Sequence, residues 1–184
     1  MRIIAGEYRS RLLKTLPGSE TRPTLDKVRE AIFSSLGSYF KGGTMLDLFA
    51  GSGAMGLEAL SRGMSHIYLA DNNPQAIRII YENIRTLKVE DQCTVWRMDF
   101  ISVLKKSMAL GISYDLVYLD PPYKKQQNDL ILETIEVFGL LKPKGFVIVE
   151  SLKDDVFLEQ TGGLKQIKEA FYGKTKVTYY KKEE

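Results

Sequence analysis

The chain has 184 residues, is 44% hydrophobic and 27% charged, and carries a net charge of +3. That length lets a single domain bury about two thirds of its unfolded surface without disulfide or metal staples. No apolar run is long enough to cross a bilayer, and "MRIIAGEYRSR" lacks the apolar stretch of a secretory leader, so a cytoplasmic location with no membrane contact is expected. One cysteine, Cys93, excludes an intrachain disulfide, and with the single His66 it leaves too few soft ligands for zinc. No metal site is expected, and both residues read as strand positions.

The first 23 residues hold two short apolar runs, "RIIAG" and "RLLKTL", separated by charges and followed by Pro17-Gly18, which suits a small hairpin or extended arm. Residues 1–43 contain eight Lys/Arg and four acids, a local charge of +4 that leaves −1 for residues 44–184. A basic arm of this kind suits a polyanionic partner; a solvated charged face is the alternative that charge alone leaves open. Next, "TLDKVREAIFSSLG" places Leu25, Val28, Ile32 and Leu36 on one stripe, with Thr24 as cap and Gly37 as stop, and predicts a helix over 24–37.

From residue 44 the pattern alternates: "TMLDLFA" then "AMGLEALSR", "HIYLAD" then "PQAIRIIYENIRTL", "CTVWRMD" then "FISVLKKSMAL", "YDLVYLD" then "NDLILETIEVF", and finally "GFVIVES". Short strands that are apolar on both faces, each followed by a helix, predict a doubly wound α/β sheet. The tail "KQIKEAFYGKTKVTYYKK" brings two β-rich runs together at Tyr172-Gly173-Lys174 with no room for a crossover helix, so an antiparallel hairpin should close the sheet. The arm (1–23) and an α/β domain (24–184) are the expected divisions.

Ligands of open α/β sheets bind beyond the carboxyl ends of the strands, and all those ends but the last carry useful polar residues. After the first strand, Gly51, Gly53 and Gly56 form G-x-G-x-x-G, a pattern that turns tightly into a helix and lets a ligand approach the backbone. Asp71 ends the second strand, where a carboxylate can take both ribose hydroxyls. Met98-Asp99-Phe100 ends the third, placing an acceptor and an aromatic face for an adenine ring. These features fit NAD as well as other adenosine-containing ligands.

The fourth strand separates the two. Asp120-Pro121-Pro122-Tyr123 has no evident role in hydride transfer, whereas each residue serves methyl transfer to an exocyclic amine. The lone pair of such an amine is conjugated with the base. Hydrogen bonds from the NH₂ to the Asp120 carboxylate and the Pro121 carbonyl would draw the nitrogen toward tetrahedral geometry and expose that pair. Two prolines restrict the backbone that presents the carbonyl, and Tyr123 can stack on a base that has left its own stack. A rigid loop with a capping aspartate is the purely structural alternative for the same four residues.

Together these motifs resemble the class I S-adenosylmethionine-dependent methyltransferases of exocyclic amines. More closely, "MRIIAGEYRSRLL", "TRPTLDKVREAIFSSL", "LDLFAGSGAMGLEALSRG" and "LDPPY" resemble the RsmD family of 16S rRNA guanine-N2 methyltransferases over essentially the whole chain. The resemblance implies a Rossmann-like, seven-stranded, mostly parallel sheet with its last strand antiparallel. It implies S-adenosyl-L-methionine as cofactor, S-adenosyl-L-homocysteine as product, and guanine 966 in the family's rRNA numbering as target. The expected partner is 16S rRNA in the small subunit or its assembly intermediate, with ribosomal proteins at the recognised surface.

By position, Asp47, Phe49, Ala50, Gly51, Ser52, Gly53 and Gly56 would line the methionine end of the cofactor. Asp71 and Asn72 would lie at the ribose, Asp99 and Phe100 at the adenine, and Asp120, Pro121, Pro122 and Tyr123 at the target. Arg2, Arg9, Arg11 and Lys14 are candidates for phosphate contacts. Arg22 and Thr24, flanking Pro23, would close over the cofactor and target edge. The family commonly has glutamate after the second strand, where this chain has Asp71. N6-adenine methylation of DNA, an NAD-binding oxidoreductase and a non-catalytic RNA-binding module are the competing readings.

Overall fold

The computed structural model describes residues 1–18, 23–122 and 127–184, and the side chains of Pro23 and Thr24 lie outside that description. Two compact units divide the chain, Met1–Asp99 and Phe100–Glu184. Arg22 and Tyr123 fall outside the described residues, as do the side-chain roles expected of Thr24.

In the first unit, β1 (Thr44–Asp47), β2 (His66–Asp71) and β3 (Cys93–Arg97) run parallel, with β2 between the other two. Met45, Leu46, Ile67 and Leu69 are fully buried, as expected for strands covered on both faces. The helix α1 (Pro23–Ser35) begins one residue before the expected cap, so Thr24 lies inside its first turn. Pro23 explains the shift, because its fixed φ and missing N–H suit the first helical position. The inward face of α1 is Val28, Arg29, Ile32 and Phe33, whereas Leu25 is 39% exposed. The charged Arg29 thus occupies a core position.

Between the strands lie α2 (Ala54–Ser61) and α3 (Pro74–Leu87). Asn73 caps α3 by accepting from the Gln75 N–H at 2.9 Å, with Pro74 next in the chain. The apolar stripe of α3 contains Ile80, Ile84 and Leu87, and also the buried Asn83. Cys93 lies in β3, where burial pushes its thiol up to about 12, so it is no nucleophile at neutral pH.

Residues 1–13 of this unit form a hairpin. Arg2 and Leu12 pair as an antiparallel bridge, the Ile3 N–H donates to the Arg11 carbonyl at 3.0 Å, and the Leu13 N–H donates to the Met1 carbonyl at 2.8 Å. Ile3 and Leu13 are 2% and 5% exposed, which anchors both limbs in the unit's core.

The second unit starts with α4 (Phe100–Ala109), then β4 (Tyr114–Leu119), α5 (Asn128–Val137) and β5 (Leu141–Leu152), with β4 and β5 parallel. The tail returns as β7 (Leu164–Tyr172) and β8 (Thr175–Lys182), turning at Gly173, whose φ is +59°. Their antiparallel register runs from Leu164↔Lys182 to Tyr172↔Thr175, and β8 pairs antiparallel with β5. A two-residue strand, β6 (Gln160–Thr161), joins the outer edge of β7. The described residues therefore hold eight strands, one more than expected; a segment this short carries no periodicity by which to read it. Among the described residues, no helix is long and apolar enough to cross a membrane.

Candidate active site

At the carboxyl end of β1 the chain passes through Leu48-Phe49-Ala50 into the glycine loop. The Ala50 N–H donates to the Ala70 carbonyl at 2.8 Å and the Gly53 N–H to the Ala50 carbonyl at 2.7 Å, which fixes the turn against β2. Gly51 and Gly53 have φ of +56° and +82°, in the left-handed region that side chains other than glycine disfavour. Gly56 serves a different end: a Cβ there would lie 2.5 Å from Leu69 Cδ2, so its absence lets α2 press onto β2.

Two carboxylates hold this loop. The Asp71 Oδ2 accepts from the Gly51 N–H at 2.9 Å, and its Oδ1 accepts from the Asn73 N–H at 2.9 Å. Each carboxylate oxygen has two lone pairs, so half of Asp71's acceptor capacity is left for ribose hydroxyls. Asp47 is 1% exposed; its Oδ2 accepts from the Gly56 N–H at 3.1 Å, while its Oδ1 is buried with no hydrogen-bond partner. Burial raises the Asp47 carboxyl from 3.8 to about 7, the Gly56 N–H opposes that, and the nearby Asp71 charge adds to it. A buried carboxylate with one unpartnered oxygen under a glycine loop fits a ligand bearing positive charge, as a methionine ammonium or a sulfonium does. Asn72 and Asp99 are exposed, and Phe100 is half-buried at the first position of α4.

In the second unit, β4 delivers the other expected group. Val117 and Leu119 are fully buried, Asp120 follows half-buried, Pro121 is buried and Pro122 exposed. Near its carboxyl end β5 also carries a buried polar residue. Glu150 is 7% exposed and accepts a hydrogen bond from the Tyr118 hydroxyl. Burial raises its carboxyl above the usual range, and the Tyr118 bond works against that shift. Asp120 and Glu150 each follow directly on the last β4–β5 pair, Leu119↔Val149.

The basic arm is docked rather than free. The Arg11 guanidinium donates to the Thr86 carbonyl at 2.6 Å near the end of α3, Lys14 pairs with Glu82, and Arg2 donates to the Ser10 carbonyl at 3.1 Å. Arg9 is exposed and has no such partner among the described residues. On the other side the arm is pinned to α2: Glu58 accepts from the Ile4 and Ala5 N–H groups at 2.9 and 3.1 Å, and the Ser61 hydroxyl donates to the Ala5 carbonyl at 2.6 Å. Glu58 also pairs with Arg62 at 2.9 Å and lies 3.6 Å from Arg29, all three being buried.

Sequence reading missed Glu58, Arg29, Arg62 and Asn83. The available signal was a polar residue on an apolar helical stripe, at Arg29 between Val28 and Ile32 and at Asn83 between Ile80 and Ile84.

The family described as conserved hypothetical protein 95 matches residues 1–181. The Bacillus subtilis protein YlbH is 40% identical over 99% of each chain. The Haemophilus influenzae protein named ribosomal RNA small subunit methyltransferase D is 34% identical over 84% of this chain and 80% of its own. The chain belongs to the RsmD family. The solved structure of the Escherichia coli protein yhhF superposes with a TM-score of 0.85 at 31% identity, covering 100% of this chain and 98% of that one. The RsmD-family fold is the Rossmann-like α/β fold of class I methyltransferases.

Proposed function

We propose that this RsmD-family methyltransferase transfers a methyl group from S-adenosylmethionine to the exocyclic N2 amine of one guanine, 966 by the family's numbering, in small-subunit rRNA. Two strand-end features, one within each unit, support the reading. One is a glycine loop above a buried carboxylate with an unpartnered oxygen, and the other is Asp120-Pro121 emerging from the buried end of β4. The names of the Haemophilus influenzae relative and of an Escherichia coli one, 33% identical over 82% of this chain, supply the rRNA class.

Asp47 and the glycine loop would hold the methionine end of the cofactor, and the spare lone pairs of Asp71 its ribose. Bound there, the cofactor supplies an electrophilic methyl group on a sulfonium. The Asp120 carboxylate and the Pro121 carbonyl accept the two N–H bonds of the target amine, which turns its lone pair out of conjugation. As the new N–C bond formed, the bond from the methyl group to the sulfonium sulfur would break and leave S-adenosylhomocysteine, and Asp120 would accept the proton that the cationic nitrogen sheds. Much of the rate in such a site comes from holding the reacting atoms in line. The arm contributes phosphate contacts, chiefly through Arg9, and a base in an RNA hairpin loop is already partly unstacked. An assembled or assembling subunit as substrate would bring ribosomal proteins to the same surface.

The test offers labelled S-adenosylmethionine to unmethylated small subunits, free small-subunit rRNA and duplex DNA, and identifies the product nucleoside by mass spectrometry. N2-methylguanosine from the subunit is expected. N6-methyladenine from DNA would retain the amine chemistry and overturn the substrate.

A further inference from the structure

The arm expected to meet RNA and the loop expected to meet the cofactor share one side chain. Asn83, on α3 and 1% exposed, accepts from the Lys14 N–H at 2.8 Å through Oδ1. Its Nδ2 donates to the Lys14 carbonyl at 3.0 Å and to the Ser52 carbonyl at 2.9 Å. Both amide donors and the carbonyl are therefore engaged, two bonds on the arm and one on the glycine loop. A buried amide cannot trade these partners for water, so displacing either segment leaves a polar group unmade or drags the other segment with it.

Further contacts tie the same stretch of arm to the same places. Lys14 pairs with Glu82, the neighbour of Asn83, and Arg11 binds the Thr86 carbonyl one turn on. Leu16 Cδ1 stands 4.0 Å from where a Cβ on Gly51 would be, so the arm continues along the glycine loop itself. Among the described residues, Asn83 alone joins arm backbone to loop backbone through one side chain.

We infer that Asn83 is a positioning residue that couples the RNA arm to the cofactor loop, so that RNA and cofactor bind with positive cooperativity. This rests on the function proposed above. A nucleic acid that grips residues 9–14 further restrains Lys14, and through the Asn83 amide it holds the Ser52 carbonyl and the loop in their binding geometry. By linkage, cofactor on the loop tightens RNA binding by the same factor. An Asn to Asp change keeps the acceptor for the Lys14 N–H but sets a carboxylate against two carbonyl oxygens, which breaks the tie with nearly the same shape.

The experiment measures the dissociation constant of S-adenosylhomocysteine by calorimetry, with and without saturating unmethylated small subunits, for wild type, Asn83→Ala and Asn83→Asp. Wild type should show at least about a fivefold tightening by the subunit. Both variants should show a ratio near one while still binding each ligand separately. A variant that keeps the wild-type ratio, or a wild-type ratio of one with both ligands bound, overturns the inference alone. Wild type that binds neither ligand overturns the proposed function as well. A second measurement uses only folded wild type: S-adenosylhomocysteine should slow hydrogen exchange of the Lys14 amide severalfold, and an unchanged rate there refutes the coupling even where a variant does not fold.

Discussion

Asp47 illustrates how burial makes a carboxylate charge costly until a cationic ligand compensates it. Its carboxyl, raised by burial to about 7, holds a proton in the native state over the range from 3.8 upward where the unfolded chain has lost it. The stabilisation this provides is complete below about pH 4 and is lost as pH rises through about 7. A cationic ligand reverses the preference and favours the ionised form. Cofactor affinity should therefore rise about tenfold between pH 6 and pH 8, and Asp47→Asn should flatten that profile in calorimetry. The proposed function gives Asp120 the other half of the chemistry. Asp120→Ala should abolish turnover in the labelled-methyl assay and leave S-adenosylhomocysteine binding within a few fold; equal loss of both would remove its assigned role.

At the scale of elements, the arm is held by a polar interface rather than by an apolar one alone. Gly6 sits at φ +88°, and a Cβ there would lie 1.9 Å from the Ser61 carbonyl oxygen, so the arm's approach to α2 requires glycine. Gly6→Ala should lower stability by about 2–4 kcal/mol in chemical denaturation, from backbone strain plus the displaced α2 contact. Glu58 joins the arm to α2 and to the buried Arg62 and Arg29. Removing it as Glu58→Ala leaves Arg29 and Arg62 with only the half-exposed Asp26 and Glu30 as carboxylate partners and unmakes two bonds to the arm; it should destabilise by about 3–5 kcal/mol, a loss that denaturant titration reads directly.

For the whole molecule, a net charge of +3 over 184 residues is too small to bind polyanions indiscriminately, and the excess lies in residues 1–43. Binding to the subunit should weaken with salt in proportion to the phosphates contacted. Arg9→Glu should reduce the slope of log affinity against log salt by about one unit with no change in melting temperature. Arg11→Glu should lower affinity and stability together, because Arg11 also holds the carbonyl of Thr86. Equal salt slopes for wild type and Arg9→Glu would take this residue out of the RNA surface.

The order of elements, the parallel strands, the glycine turn and the aspartate-proline corner were all legible in the sequence, because they depend on local periodicity and on residues whose backbone preferences are intrinsic. "TMLD" and "HIYLAD" announce buried strands, and Tyr172-Gly173-Lys174 announces a hairpin turn, without reference to anything distant. The two-residue β6 and the start of α1 at Pro23 were less legible, since neither changes the hydrophobic pattern. What Glu58, Arg29 and Asn83 do was decided only by tertiary structure. The arm and loop partners that define those roles lie 27 to 69 residues away in the chain, at Arg2, Ile4, Ala5, Lys14 and Ser52. A polar side chain on a buried helical face signals that it has a partner, but packing alone brings that partner within hydrogen-bonding distance.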